Sequence, residues 1–258
     1  MKAILLGSGT SGGVPRIGND WGACDPANPR NRRSRVSMIV EHAGQRILID
    51  TSPDLRNQLL AQDIGALDAV IWTHDHADHS HGIDDLRALY HRSRKPLAAY
   101  GRDYTLQSLV RRFGYVFAGG DGYPPTAKAS ELIDDQRICD MRVRCVDQPH
   151  GAVFSTGLRF DVNGMSVVYA TDFAEVTGAM VALYAGCDLL VTDCLRYEKH
   201  PTHAHLEMAM DLAERCGAQH TVLTHMDKSL DYATLCAELP DGIEPGYDGL
   251  TIDLAQTS

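Results

Sequence analysis

The sequence lacks the features that mark several common protein classes. It has no CxxC pair, and its seven cysteines stand singly at 24, 139, 145, 187, 194, 216 and 236. An odd, scattered set of thiols argues against a disulfide framework and for a reducing compartment. It has no long apolar run. Stretches such as Ala69-Val70-Ile71-Trp72 and Leu189-Leu190-Val191 fall far short of a membrane span. The opening Met1-Lys2-Ala3-Ile4-Leu5-Leu6 meets Gly7 and Ser8 too soon for a signal-peptide core, so a mature start and a cytoplasmic location are expected. It has no basic excess: 24 Lys+Arg against 34 Asp+Glu leave −10, which excludes a generic nucleic-acid binder. It has no low-complexity tract, no fixed-period repeat and no Pro/Ser-rich hinge. One domain over residues 1–258 is therefore expected, with residues 119–125 the nearest candidate for a loop insertion.

What is present is a soluble α/β pattern long enough to bury a full core. Short Val/Ile-rich runs at 2–6, 37–41, 46–50, 68–73, 142–146, 158–162, 166–170, 188–192 and 221–224 are strand candidates. Ser52-Pro53 predicts an N-cap and first helical position, opening a helix toward Gln62. Apolar residues at 206, 209, 212, 213 and 216, then Gly217, predict a second helix. Alternation of this kind suggests helices covering sheets.

Gly7-Ser8-Gly9-Thr10-Ser11-Gly12 follows a strand and spells GxGxxG. A dinucleotide site would need a helix to open there and an acidic residue about 20 positions on. Gly13-Val14-Pro15 and Asn19-Asp20-Trp21-Gly22 follow instead, which is loop composition. A tight glycine turn beside an active site is the better expectation.

Thr73-His74-Asp75-His76-Ala77-Asp78-His79 directly follows an apolar strand. His74 and His76 are two apart, so an extended segment leans them to one side. Asp78 and His79 enter the next turn, which can aim them at a second point. Imidazole with carboxylate suits zinc, manganese or iron more than calcium. One loop cannot complete a two-metal site. His150, Asp172 and His225 each sit one to four residues beyond a strand candidate and are the remaining ligand candidates.

This arrangement, HxHxDH after a strand and then a lone His, a lone Asp and a Thr-His, resembles the metallo-β-lactamase superfamily over nearly the whole chain. The Gly-rich start, Trp21-Gly22-Ala23-Cys24-Asp25, His203 before a helix and Gly246-Tyr247-Asp248-Gly249 are similar to its PhnP-type phosphodiesterases. The resemblance implies a four-layer αββα sandwich, α/β (α+β) in class, with the site at one edge of two sheets. It implies two divalent ions, Zn²⁺ or Mn²⁺. His74, His76 and His150 would hold one; Asp78, His79 and His225 would hold the other; Asp172 would bridge them. Asp50 resembles a residue that orients ligand histidines. PhnP-type members also carry a structural zinc on an N-terminal cysteine cluster and a later His. Here Cys24 stands alone and Lys228 is near that His position. No third metal is expected, and Cys24 is expected to be an ordinary loop thiol.

Two close metals can share a hydroxide and clamp both oxygens of an in-line displacement. The leaving alkoxide then needs a proton. His203 resembles the general acid of the superfamily's phosphodiesterases, with His200 and His205 as rivals; His203 and the ligand Asp78 form the expected catalytic pair. The expected substrate is a small phosphate ester, including cyclic ribose or nucleotide phosphates. Neither a stable nucleic-acid partner nor a membrane is expected, and a homodimer fits by analogy. Alternatives are a thioester or other ester hydrolase, a tRNA 3′-processing-like nuclease and a non-hydrolytic PqqB-like accessory protein. The basic segment Arg30-Asn31-Arg32-Arg33-Ser34-Arg35 suits phosphate binding or a solvated face equally.

Overall fold

A computed structural model of the chain describes residues 1–120 and 122–254. The first sheet contains β1 (Lys2–Gly7), β2 (Ser37–His42), β3 (Gln45–Ile49), β4 (Ala69–Ile71), β5 (Leu97–Gly101), β6 (Ala127–Glu131) and β14 (Leu250–Asp253), in the order β14-β1-β2-β3-β4-β5-β6. The second contains β7 (Asp135–Ile138), β8 (Met141–His150), β9 (Val153–Val162), β10 (Met165–Ala170), β11 (Leu189–Asp193), β12 (His220–Thr224) and β13 (Ile243–Pro245), in the order β13-β12-β11-β10-β9-β8-β7. The helices are α1 (Leu55–Ala61), α2 (Ala77–Ser80), α3 (Leu86–Ser93), α4 (Asp103–Arg112), α5 (Gly114–Ala118), α6 (Gly178–Tyr184), α7 (Leu206–Cys216) and α8 (Tyr232–Glu238).

Strand alternation builds four layers from this list. Along β1, Ala3 and Leu5 point between the sheets, where they join Val40, Ile49, Phe160, Val167 and Val191. Ile4 and Leu6 point the other way, under Leu55 of α1, Leu86 of α3 and Leu109 of α4. On the far side, Val168 and Leu190 meet Met180 and Tyr184 of α6 and Leu212 of α7. Both sheets are thus covered on both faces, which is why their central strands are continuously apolar. The fold is an αββα sandwich.

Some sequence expectations need correction. The helix begins at Leu55, not Pro53, and ends at Ala61. Residues 52–55 form a turn instead, with Leu55 N–H donating to Ser52 O and Asp54 N–H to Ser52 Oγ. Strand β8 does not stop at 146; it runs to His150, so that histidine ends the strand rather than following it in a loop. The strands not foreseen are β5, β6, β7, β13 and β14. Four of them are sheet edges, where half-solvated residues weaken the apolar signal. Of the 119–125 segment, Asp121 lies outside the described residues. No helix among the described residues is long and apolar enough to cross a membrane.

Candidate metal centre

The parallel strands β3 and β4 of the first sheet and β10, β11 and β12 of the second end at the same edge of the sandwich as β8, and the candidate ligands sit at or beyond those ends. Asp50, Asp172 and His225 each leave a strand with positive φ, at 62°, 57° and 58°. Non-glycine residues there are strained, a feature that concentrates at functional sites. The turn carries each side chain back over the strand ends. After β4, His74 and His76 lie in the extended segment, while Asp78 and His79 lie in α2. A 3.0 Å hydrogen bond from Thr156 N–H of β9 to Thr73 O ties this loop to the second sheet.

The side chains converge. His74, His76, His150 and Asp172 place one donor atom each within 4.8 Å of one another, as do Asp78, His79 and His225. Asp172 stands between the two groups. Its Oδ2 is 3.7 Å from His74 Nε2 and 3.5 Å from His150 Nε2, and its Oδ1 is 3.4 Å from His79 Nε2 and 3.6 Å from His225 Nε2. Asp78 Oδ2 lies 3.4 Å from His225 Nε2 and 3.5 Å from His79 Nε2.

The rings are held from behind. His79 Nδ1 donates to Asp50 Oδ2 at 2.7 Å, and Asp50 also accepts from Thr73 N–H and Thr73 Oγ1 at 2.8 Å each. His150 Nδ1 donates to Thr202 O at 2.7 Å. These bonds fix the tautomers and turn Nε2 of both rings toward the centre.

The donor set fits divalent cations. Two atoms bound tetrahedrally to one zinc at about 2.0–2.1 Å lie roughly 3.3 Å apart, close to the spacings above. His74 Nε2 and His79 Nε2 are fully buried and have no hydrogen-bond partner, a costly arrangement unless a cation meets them. The local field also favours positive charge. Burial works against a charged His225, yet Asp172, Asp78 and Asp193 hold it at about 9. Burial likewise opposes charge on His79, and Asp172, Asp78 and Asp50 raise it well above an ordinary histidine. His74 moves the other way: burial and its histidine neighbours keep it neutral, the form that binds metal.

His203 is in the same place. Its ring stacks on His225 with centroids 4.8 Å apart and meets His150 at 4.8 Å. Its Nδ1 lies 3.2 Å from Asp193 Oδ2. His200 stands behind it, at a centroid distance of 5.2 Å. His205 is buried and directs its Nε2 at Glu207, 3.6 Å away. Of the three rivals, only His203 lines the cavity of about 250 Å³ formed with His76, Asp78, His150, Asp172 and His225. Ser11 of the glycine-rich turn and Val153 of β9 line it too. That turn opens no helix; Gly9 bridges to Arg35 and Met226 instead.

Asp193 was missed by sequence reasoning. It ends β11 as Asp172 follows β10, with Thr192-Asp193 repeating Thr171-Asp172, so the strand-end criterion would have found it. The basic segment divides. Arg33 is buried, and Arg30 lies over the rings of Tyr232 and Tyr247 at 4.8 and 4.7 Å. Arg35 pairs with Asp54 at 3.0 Å, and Arg32 covers the Trp21 ring at 5.1 Å.

Residues 45–226 match the family model described as the Beta-lactamase superfamily domain. The chain belongs to the metallo-β-lactamase superfamily. Among solved structures it is similar to a diphosphatase from the PhnP family, with 34% identity, a TM-score of 0.89 and 98% of each chain covered. Among curated proteins it is similar to an octanoyltransferase of Porphyromonas gingivalis, at 38% identity over 97% of this chain and 51% of that protein. It is also similar to a ribonuclease Z of Bradyrhizobium, at 33% identity over 51% of this chain and 46% of that protein. The chain therefore spans about half the length of these two curated relatives. Membership in this superfamily of metal-dependent hydrolases accounts for the strand-end edge and its histidines.

Proposed function

We propose that the chain is a dinuclear metal-dependent phosphodiesterase acting on a small phosphate ester. The observation that carries this is Asp172, whose two oxygens face the two histidine groups separately while His203 borders the same cavity. His74, His76 and His150 would hold one divalent ion, Asp78, His79 and His225 the other, and Asp172 would join them. Bound there, the ions would supply Lewis acidity and offset phosphate charge.

The chain's own residues do the rest. An ionised Asp193 only accepts, so the His203 proton facing it sits on Nδ1, and Nε2 is left for the substrate. Asp193 stabilises the protonated ring, and His203 passes a proton from Nε2 to the leaving oxygen. A cavity of about 250 Å³ admits a small ester head group. The likeness to a PhnP-family diphosphatase over 98% of both chains supports phosphate chemistry.

A second reading, hydrolysis of an acyl ester or thioester, is favoured by the likeness to a protein named octanoyltransferase, although half of that protein lies outside the match. Parallel assay of bis(p-nitrophenyl) phosphate, an S-octanoyl thioester and nitrocefin separates the two. Turnover of the phosphate is expected. His203→Ala should lower it about 10²–10⁴-fold with metal content unchanged. Turnover of the thioester alone, or full activity in the variant, would overturn the proposal.

A further inference from the structure

Asp172 owes its position to its backbone. With φ at 57°, it needs both flanking peptide planes held. The carbonyls of those planes, Thr171 O and Asp172 O, accept from side chains rather than from a strand. Ser155 Oγ approaches them at 3.0 and 2.7 Å, and Gln148 Nε2 donates to Thr171 O at 2.8 Å. Fixing the carbonyl on either side of one Cα fixes its φ and ψ together.

These two side chains depend on a third. Gln148 and Ser155 are directly opposite in the β8–β9 ladder, and Gln148 Nε2 donates to Ser155 Oγ at 2.9 Å. The remaining Gln148 atom, Oε1, accepts from Tyr184 Oη at 2.7 Å. Gln148, Ser155 and Tyr184 are each 0% exposed, and the amide and both hydroxyls of the relay are bonded. The neighbouring Gly157 makes room for the phenol: a Cβ there would lie 1.7 Å from Tyr184 Oη. Tyr184 is the last residue of α6, the helix to which the chain runs from Asp172. Segment 172–184 thus closes on its own starting point.

We propose that Tyr184 is a positioning residue for the metal centre: through Gln148 and Ser155 it locks the Asp172 backbone in the turn that offers one carboxylate oxygen to each histidine group. Nothing in the proton-transfer role of His203 uses this relay. The metal consequence rests on the dinuclear reading; the backbone consequence does not. Without the phenol oxygen, Gln148 Oε1 is buried unpaired and its amide is free to turn, releasing Thr171 O.

The test uses Tyr184→Phe, which keeps the ring, and Gly157→Ala, whose Cβ would crowd both the phenol oxygen and Gln148 Oε1, at 1.7 and 2.6 Å, and so part them while removing neither group. Leu212→Ala is the control; it loosens the same helix layer without touching the relay. Amide hydrogen exchange over residues 172–176 is read in metal-free protein, and zinc affinity by chelator competition. Both relay variants should speed exchange at least about 10-fold and weaken zinc binding about 10–100-fold, while the control does neither. Unchanged exchange in Tyr184→Phe, or equal acceleration in Leu212→Ala, would overturn the proposal whatever the metal result. Wild-type protein that takes up no zinc would sink the dinuclear reading and leave the exchange comparison standing.

Discussion

The loop after β12 is held at both ends, by means that differ in kind. At His225, histidines and carboxylates meet with His74 Nε2 and His79 Nε2 unbonded inside the protein. Five residues on, at Leu230, the cation belongs to the chain. Arg33 is 1% exposed, and its guanidinium donates to Leu230 O at 2.7 Å and Asp227 O at 3.1 Å, with Cys24 Sγ at 3.7 Å. Burial pushes the Cys24 thiol up, so it stays protonated, 3.5 Å from Leu230 O. Asn31 closes the cluster by donating to Asp231 Oδ2 at 2.6 Å and accepting from Tyr232 N–H at 2.8 Å. One region gathers donors that could hold an external cation; the other gathers carbonyls around an internal one. The first should answer to chelators and the second should not.

The largest expected effect breaks the first region alone. Asp172→Ala removes the carboxylate shared by both histidine groups. Turnover of bis(p-nitrophenyl) phosphate should fall more than about 1,000-fold, because nucleophile and charge compensation are lost together. Metal per chain should fall below two by elemental analysis. A variant that kept both ions and its activity would remove the distinction.

Next is the internal cation. Arg33→Leu takes the guanidinium away from Leu230 O and Asp227 O, leaving them only the Cys24 thiol at 3.5 Å and the Leu230 N–H at 3.4 Å, at a cost of about 2 kcal/mol. Urea unfolding should show a lower midpoint at unchanged slope, and metal stoichiometry should not move. The same decrement should appear with and without chelator, since separate sites add. A decrement that vanished on chelation would mean that the two clusters are one unit.

How far each region could be foreseen follows from how local its signals are. The candidate ligands of the 74–79 segment are neighbours in sequence, and His150, Asp172 and His225 share a position relative to their strands. Both are patterns that one sequence can display. Arg33 sits in a run of four arginines within six residues, and nothing in the run says which one is buried. That depends on carbonyls nearly 200 positions away. Gln148 and Tyr184 escaped for the same reason: their partners are set by the β8–β9 register and by the end of α6. The αββα layering followed from the family likeness, whereas the residues alone implied only helices on sheets. The edge strands were lost because half-solvated positions carry little apolar pattern. Ser52-Pro53 misled because a good cap sequence can also serve a turn, and Ser52 Oγ is spent on Asp54 N–H.

The smallest effect sharpens the contrast by pH. Asp231 caps α8, accepting from Thr234 N–H at 2.9 Å, and also takes Asp25 N–H at 3.1 Å and the Asn31 amide. Its slight burial opposes ionisation, but these donors outweigh it and hold the carboxyl at about 2. A folded pKa below the unfolded value of about 3.9 adds stability that is complete above about pH 4 and lost as pH falls toward 2. Asp231→Asn keeps a capping oxygen but turns its other acceptor into a donor facing donors. It should cost under about 1 kcal/mol at neutral pH, since the group is largely solvated. The gap to wild type should close between pH 4 and pH 2 in urea titrations. Metal binding at the other end of the loop should fail at higher pH, because protons compete there for histidines rather than for a carboxylate. Should both losses fall in one pH window, an external and an internal cation would not be what separates the two regions.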